Sequence, residues 1–161
     1  MAIWITSDQH FNHENIIKYC KRPFHSVEQM NEFMIKKWNE KVGRDDLVIH
    51  LGDFGFGSVE KIEEIRKRLN GTIILLAGNH ESYKKMKDCE FIFINEGSIQ
   101  FRNIILSHRP LSLDKIPKGF VNVHGHIHEK ESLHGINVGV DKTNFEPIEL
   151  ESLINRKSLA F

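Results

Sequence analysis

Side chains that commonly bind metal ions lie at the ends of five apolar segments of this 161-residue sequence. Each is the last residue of its segment or lies within four residues beyond it, usually near a glycine that lets the backbone turn sharply. These side chains are Asp8, His10, Asp53, Asn79, His108, His126 and His128. In open α/β sheets, ligand sites lie beyond the carboxyl ends of the strands. The placement therefore predicts that these side chains meet at one site.

The chemistry of this set is that of a divalent metal centre. Carboxylates, an amide and imidazoles suit borderline transition metals such as Mn, Fe, Co, Ni or Zn. The set is too large for one tetrahedral site, but it suffices for two ions if one carboxylate bridges them. Such a centre activates water and binds both the attacking and the leaving oxygen of a phosphoryl displacement. Taken singly, Asp8, Asp53 and Asn79 are better explained as turn or capping residues. Their shared position at strand ends favours the metal centre.

Three histidines at alternate positions form the densest part of the set, in the segment VNVHGHIHEK (121–130). Alternate side chains of an extended strand share a face, so His126 and His128 are predicted to point into the site together. His124 would share that face in an ideal strand, but Gly125 permits a bend. We interpret His124 as a supporting or structural residue.

The elements that position these residues alternate between strand and helix. Apolar runs predict strands at 2–6, 47–51, 72–77, 91–94, 98–101, 104–108, 120–124 and 135–140. Helical spacing and capping residues predict helices at 26–42, 58–71 and 149–155. Two strand–helix–strand units followed by a run of strands favour a mixed α/β sandwich. Because we find no repeat, low-complexity linker or break in composition, we expect a single domain over residues 1–161.

Composition restricts the expected location and partners. Lys+Arg and Asp+Glu both number 22, and this balance disfavours tight, sequence-independent binding to duplex nucleic acid or to a membrane surface. The amino terminus lacks the basic and apolar segments of a signal peptide, and no apolar run approaches the ~20 residues of a membrane span. Cys20 and Cys89 have no CxxC spacing. We therefore expect a cytoplasmic protein.

The sequence resembles the calcineurin-like metallophosphoesterases in five blocks that occur in the family's order. The blocks are SDQH, LGDF, AGNHE, LSHRP and HGHIH, and their metal-binding positions extend from residue 8 to residue 128. The longer segments TSDQHFNHENI, RPF and WNEKV are similar to the small, uncapped bacterial, archaeal and phage members. The resemblance implies two facing mixed β-sheets flanked by helices, a four-layer αββα sandwich without a cap domain.

The resemblance also implies a role for each site residue. The ligands of the first metal would be Asp8, His10, Asp53 and His128. The ligands of the second would be Asp53, Asn79, His108 and His126. His80 would contact the phosphate or protonate the leaving oxygen, and Glu81 would orient that imidazole and support its charge. The nucleophile would be a hydroxide bridging two divalent ions, for which Mn²⁺ is favoured and Fe, Ni, Co and Zn are alternatives.

The expected substrate is a small phosphodiester such as a 2′,3′-cyclic nucleotide, because small uncapped relatives are commonly phosphodiesterases. Phosphomonoesterases and nucleases of the same family, and a non-catalytic metal-binding scaffold, are the alternatives. Candidate substrate contacts are Arg109, His13, Arg22 and Phe24. An ion pair explains Arg109 equally well. Helix capping or a surface position is the slightly favoured explanation for His13, and ordinary packing is the favoured explanation for Phe24.

Overall fold

Two β-sheets face each other, and helices pack on the outer face of the larger sheet. The computed structural model describes residues 1–81, 83–95 and 97–155. Within these residues, the larger sheet contains β1 (Ile3–Thr6), β2 (Leu47–His50), β3 (Thr72–Leu76), β4 (Ile92–Ile94) and β9 (Ile148–Glu149), in the order β4-β3-β2-β1-β9. The smaller sheet contains, in spatial order, β5 (Ser98–Phe101), β6 (Ile104–Ser107), β7 (Val121–His124) and β8 (Ile136–Asn137).

Both sheets are mixed, and their parallel strands bring successive strand ends to one edge. The pairs β1–β2, β2–β3 and β3–β4 are parallel, whereas β9 pairs antiparallel with β1. In the smaller sheet β5–β6 is antiparallel, and β6–β7 and β7–β8 are parallel. The predicted mixed α/β sandwich is confirmed. Residues that follow β1, β2 and β3 therefore emerge side by side.

The helices follow the apolar spacing of the sequence. They are α1 (Glu14–Tyr19), α2 (Val27–Lys41), α3 (Val59–Arg68), α4 (Tyr83–Met86) and α5 (Leu150–Asn155). The Ser26 side chain accepts a hydrogen bond from the Gln29 N–H, as expected for an N-cap. Helix α3 ends before the predicted residue 71, because Leu69 adopts an extended conformation. No helix in the described part of the chain is long and apolar enough to cross a membrane.

Alternation along the strands divides the apolar side chains between two cores. In β2, Val48 packs towards the helices and Ile49 towards the second sheet. The core between the sheets includes Ile5, Ile49, Leu51, Leu76, Leu106, Val123 and Val138. On the outer face of the smaller sheet, the Leu111 N–H donates to Asn122 Oδ1 at 2.8 Å. Leu111 lies in the segment between β6 and β7. This segment contains a short 3-10 turn, Leu113–Lys115, at the place where the αββα sandwich is expected to have its second helical layer.

Candidate metal centre

The predicted metal ligands converge where strands of both sheets end. The loops after β1 and β2 are fixed to each other by backbone hydrogen bonds. The Asp8 N–H donates to the Gly52 carbonyl, and the His10 N–H donates to the Asp53 carbonyl, each at 3.0 Å. The loop after β7 joins them, because the His126 N–H donates to Asp8 Oδ2 at 2.8 Å. The facing sheets thus contribute to one site.

The ligand atoms form two groups that meet at Asp53. One group is Asp8, His10 and His128, and the other is Asp53, His108 and His126. Within each group, the candidate ligand atoms lie within 4.8 Å of one another. Asp53 Oδ2 lies 3.6 Å from both His10 Nε2 and His108 Nε2. One carboxylate oxygen therefore lies between two candidate metal positions.

Three buried polar atoms at this place lack a partner. Among the described residues, Asp8 Oδ1, His10 Nε2 and His108 Nε2 are buried and form no hydrogen bond. Leaving such an atom unsatisfied costs about 1–3 kcal/mol, and all three are side-chain atoms of predicted ligands. Divalent cations would satisfy them, and the mixture of carboxylate and imidazole donors fits transition-metal ions.

Burial keeps two of the imidazoles in the neutral form that binds metals. Burial and the neighbouring positive charges of His128 and Arg22 lower the pKa of His10 far below its usual range. Burial, with His108 and Arg109 nearby, lowers the pKa of His126 to about 4. At neutral pH both rings therefore offer a lone pair, as metal ligation requires. Burial also raises the pKa of Asp8, an effect that a bound cation would oppose.

The backbone is left-handed at five of the predicted ligands. The φ angles are 63° at Asp8, 53° at His10, 55° at Asp53, 69° at His126 and 51° at His128. This conformation is uncommon outside glycine and costs on the order of 1–3 kcal/mol per residue. Strained residues cluster at functional sites, where the surrounding structure holds them in place. The strain marks this edge of the sandwich as the functional site.

Comparison with known proteins agrees with this geometry. A sequence model of the calcineurin-like phosphoesterases matches residues 1–157. This chain belongs to the calcineurin-like phosphoesterase family. Membership implies metal-dependent hydrolysis of phosphoesters and confirms the resemblance seen in the five sequence blocks.

Relatives of this phosphoesterase include proteins from an archaeon and a phage. The uncharacterized protein MJ1445 of Methanocaldococcus jannaschii is 35% identical over 163 aligned positions, which cover 94% of this chain and 89% of that protein. The Gene 66 protein of Mycobacterium phage L5 is 33% identical over 82 positions, which cover 48% of this chain and 39% of that protein. The crystal structure of the protein of unknown function AQ665 from Aquifex aeolicus superposes with a TM-score of 0.75 at 24% identity, covering 96% of this chain and 98% of that one. This last match supports the fold.

Gly125 lets the loops of the two sheets meet in this phosphoesterase. A Cβ at this position would lie 2.1 Å from Ser7 Oγ and 2.2 Å from Asp8 Oδ2. We expect Gly125→Ala to displace Asp8, to lower the free energy of unfolding by about 1–3 kcal/mol, and to weaken the binding of divalent ions. Thermal unfolding and calorimetric titration with Mn²⁺ measure both effects.

The control for Gly125→Ala is Gly43→Ala. The atoms nearest to the Cβ of that variant would belong to the Asp46 side chain, with Oδ2 at 3.3 Å. Gly43 precedes β2, whereas the ligand Asp53 follows it at the other end of the strand. Unchanged affinity for Mn²⁺ in Gly125→Ala would contradict the expectation.

His80 lies at the mouth of the site. Its Nε2 is 4.0 Å from Asp53 Oδ2, and its side chain is 44% exposed. The ring packs against Phe56, with the ring centroids 4.7 Å apart. Phe56 also stacks on His13 at 4.0 Å and lies 5.7 Å from His10. The sequence gives no signal for Phe56, because a phenylalanine in a loop is explained equally well by ordinary packing.

The structure corrects the role predicted for Glu81. Its carboxylate accepts hydrogen bonds from the N–H groups of Asp53 at 3.0 Å, Phe54 at 2.5 Å and Gly78 at 2.8 Å, and is not directed at the imidazole of His80. Burial and the charge of Asp53 raise the pKa of Glu81. Glu81 therefore joins the loops after β2 and β3, and in this way fixes the position of Asp53.

Arg22 and Phe24 do not line the site, contrary to the prediction. The Arg22 side chain is fully buried, and its Nε donates to Asp141 Oδ1 at 2.8 Å. The ring of Phe24 packs against those of Phe33 and Phe145, with centroid distances of 5.3 and 5.2 Å. The buried guanidinium is therefore unavailable to a substrate, and the half-buried ring of Phe24 belongs to the core on the helical side of the larger sheet.

His13 and Arg109 do border the site. His13 Nδ1 lies 3.4 Å from His10 Nδ1, and the His13 side chain forms no capping hydrogen bond at the start of α1. Arg109 is exposed and donates to Asn79 Oδ1 from Nη2 at 2.7 Å and from Nε at 3.2 Å. Contact of either residue with substrate stays a prediction.

Asp141 is a residue of the site that the family blocks do not include. Its Oδ2 lies 3.0 Å from His128 Nδ1. Burial lowers the pKa of His128, but the hydrogen bonds with Asp141 and Cys20 outweigh burial and raise this pKa to about 10. Asp141 directly follows the apolar run at 135–140. It therefore carries the same strand-end signal as the predicted ligands, and that signal was available in the sequence.

Proposed function

We propose that this chain is a phosphodiesterase with two divalent metal ions that hydrolyses small phosphodiesters such as 2′,3′-cyclic nucleotides. The observation that carries the proposal is the position of Asp53. Its Oδ2 lies 3.6 Å from the ring nitrogens of both His10 and His108. Both nitrogens are buried and without a hydrogen-bond partner in the described protein. A carboxylate in this position can bridge two ions.

The remaining ligands divide between the two proposed positions. The first ion would be held by Asp8, His10, Asp53 and His128, and the second by Asp53, Asn79, His108 and His126. When bound, two such ions supply an activated water and neutralise charge on the transferred phosphoryl group. We expect Mn²⁺, with Fe, Ni, Co and Zn as ions that the same donors accept.

The protein's own contribution would come from residues at the mouth of the site. His80 is close enough to Asp53 to reach a phosphoester bound there, and its exposed imidazole can donate a proton to the leaving oxygen. Arg109 lies beside Asn79, where its guanidinium can donate two hydrogen bonds to phosphate oxygens. His13, stacked on Phe56, can contact the substrate next to His10.

Two cavities beside the metal centre favour a diester over a monoester. One, of about 350 Å³, lies between α1 and the loop after β7 and is lined in part by Ile16, Tyr19 and His128. The other, of about 240 Å³, lies at the ends of β3 and β6 and is lined in part by His108 and Arg109. An acyclic phosphodiester carries two organic groups on phosphorus and could place one in each cavity, whereas a monoester could fill only one. A cyclic nucleotide, in which both ester oxygens belong to one ribose, would place its single nucleoside in one of the two cavities.

Charge and the course of the chain support a small substrate. Helix α2, in the longest stretch between two motifs, packs against the larger sheet and does not form a separate cap domain. With 22 basic and 22 acidic residues, the chain has little bulk attraction for a polyanion.

The cysteines are consistent with the expected location in the cytoplasm. Cys20 and Cys89 are free thiols, as is usual for proteins in its reducing environment.

A substrate panel tests the proposal. Metal-free protein supplemented in turn with Mn²⁺, Fe²⁺, Co²⁺, Ni²⁺ or Zn²⁺ is assayed on 2′,3′-cyclic AMP, 3′,5′-cyclic AMP, bis-p-nitrophenyl phosphate, 5′-AMP and p-nitrophenyl phosphate. We expect kcat/KM for bis-p-nitrophenyl phosphate to exceed that for p-nitrophenyl phosphate by at least about tenfold, the smallest discrimination that an additional pocket contact usually gives. We also expect the cyclic nucleotides to be hydrolysed faster than 5′-AMP. A preference for monoesters would indicate a phosphomonoesterase, and absence of turnover with all five metals would indicate a non-catalytic scaffold.

A further inference from the structure

A buried ion pair lies directly behind the candidate metal centre. Arg22 donates to both carboxylate oxygens of Asp141, from Nε at 2.8 Å and from Nη2 at 2.9 Å. The Arg22 side chain is fully buried, and that of Asp141 is 4% exposed. A buried ion pair is weak evidence for a stabilising role, because desolvation of the two charges offsets their attraction. Its location therefore suggests a purpose other than stability.

The carboxylate of this pair holds His128. Asp141 Oδ2 accepts a hydrogen bond from His128 Nδ1 at 3.0 Å, so Nδ1 keeps its proton and Nε2 is the nitrogen that could bind a metal ion, which would displace any proton there. Arg22 fixes Asp141 in turn, since its bidentate contact sets the plane of the carboxylate. The orientation of the His128 ring is thus determined by Asp141 and Arg22, which do not themselves contact the substrate.

The same guanidinium holds the loop after β1. Its Nη2 donates to the Asp8 carbonyl at 2.8 Å, and its Nη1 donates to the Gln9 carbonyl at 2.7 Å. Asp8 and His10 have left-handed backbones, with φ angles of 63° and 53°. Arg22 therefore connects the strained loop that carries two predicted ligands to the carboxylate that holds a third.

We propose that Arg22 and Asp141 are positioning residues that set the affinity of the first metal position, formed by Asp8, His10, Asp53 and His128. This inference rests on the proposed function, because it takes these side chains as metal ligands. Neither Arg22 nor Asp141 binds the ion. They hold His128 and the loop after β1 in the geometry that an ion requires before it arrives.

A separate cation site at the same place is disfavoured. Cys20, His128 and Asp141 bring three candidate ligand atoms within 4.8 Å of one another. However, Arg22 already occupies both oxygens of Asp141, and Nδ1 of His128 carries the proton that the carboxylate accepts. A cation there would have to displace a fixed positive charge. The geometry points to a support for His128 instead.

The test is calorimetric titration of metal-free Asp141→Asn with Mn²⁺. Asparagine has nearly the same volume, but its amide nitrogen must face a donor, either Arg22 or His128. Residues that support metal ligands typically contribute about 10–100-fold to metal affinity. We expect one of the two binding events to weaken by about this factor and the other to keep the wild-type affinity.

Two further variants separate positioning from stability. The control is Glu146→Gln, in the same loop as Asp141. It removes a carboxylate that pairs with Lys37 and Lys41, and it should leave the affinities for both Mn²⁺ ions unchanged. The double variant Arg22→Met with Asp141→Leu leaves no unpaired buried charge, so its fold should survive the loss of the pair. Its affinity for one ion should still be weakened, and circular dichroism of the metal-free protein verifies the fold.

The outcomes distinguish this inference from the proposed function. If the wild type binds two ions and both variants lacking Asp141 bind them equally well, the positioning role is overturned and the phosphodiesterase proposal stands. If one affinity falls as expected, the role is supported whichever phosphoester is hydrolysed. A wild-type protein that binds no divalent ion would overturn both.

Discussion

Asp53→Asn is expected to give a folded protein that has lost tight binding of divalent ions and, with it, phosphoesterase activity. The amide oxygen of the new side chain can keep the hydrogen bonds from the N–H groups of Asn79 and His80. The amide nitrogen then takes the place of Oδ2, facing the ring nitrogens of His10 and His108, and cannot bridge two cations. Loss of a supporting residue costs about 10–100-fold in metal affinity, so loss of the shared ligand should cost more than about 100-fold.

Calorimetric titration with Mn²⁺ and hydrolysis of bis-p-nitrophenyl phosphate measure the effect of Asp53→Asn, and circular dichroism verifies the fold. Asp114→Asn, which changes an exposed carboxylate in the 3-10 turn, is the control and should behave as the wild type. Two ions bound with wild-type affinity in Asp53→Asn would show that the carboxylate is not a shared ligand.

His80→Ala should separate turnover from metal binding. The His80 side chain is half exposed and lies 4.0 Å from Asp53 Oδ2, outside both groups of ligand atoms. We therefore expect unchanged Mn²⁺ affinity and a kcat lowered by about 10²–10⁴-fold, the usual contribution of a general acid. The loss should be largest for a cyclic nucleotide, whose alkoxide leaving group needs a proton. It should be smaller for the aryl ester, because p-nitrophenolate leaves readily without one.

The comparison of leaving groups makes the role of His80 testable. His25→Ala changes an exposed histidine outside the site and is the matched control. Equal losses on both esters would favour binding of the phosphate by His80 over proton donation. Wild-type kcat on the cyclic nucleotide would remove His80 from the reaction altogether.

The fold was largely predictable because the strands of this chain are short apolar runs that end in polar residues. Helix α2 was predicted to within a residue at each end, from its apolar spacing and the Ser26 cap. The run at 135–140 was predicted as one strand, but β8 extends only over Ile136–Asn137. Gly139 and the residues around it instead approach the loop after β1, where the Val140 N–H donates to the Ser7 carbonyl.

The ligand set was predictable for a different reason. Parallel pairing of β1, β2 and β3 brings their ends to one edge, so Asp8, Asp53 and Asn79 could be placed together before any contact was known. The contacts that hold the ligands in position connect residues that are far apart in the sequence. Asp141 and Arg22 are separated by 119 positions and become neighbours only through the packing of the two sheets.

Two of the three errors, those at Glu81 and Arg22, concern residues whose side chains bind backbone groups. Glu81 follows His80 directly, and adjacency in sequence suggested a carboxylate–imidazole pair. The structure instead directs Glu81 to backbone N–H groups in the loops after β2 and β3. Arg22 likewise donates two hydrogen bonds to carbonyl groups of the loop after β1. Backbone N–H and C=O groups occur at almost every position, so a motif carries no information about which of them a side chain will find.

The left-handed backbone at five ligand positions connects coordination chemistry to the amino acids that evolution can use there. Aspartate, asparagine and histidine tolerate this conformation better than most residues, and they are also ligands of divalent ions. Glutamate or cysteine could bind the same ions but would add strain at Asp8 or His126. Selection for the loop conformation and selection for metal binding thus favour the same few amino acids. To graft this site onto another scaffold, a designer would have to build the loop conformations before choosing the side chains.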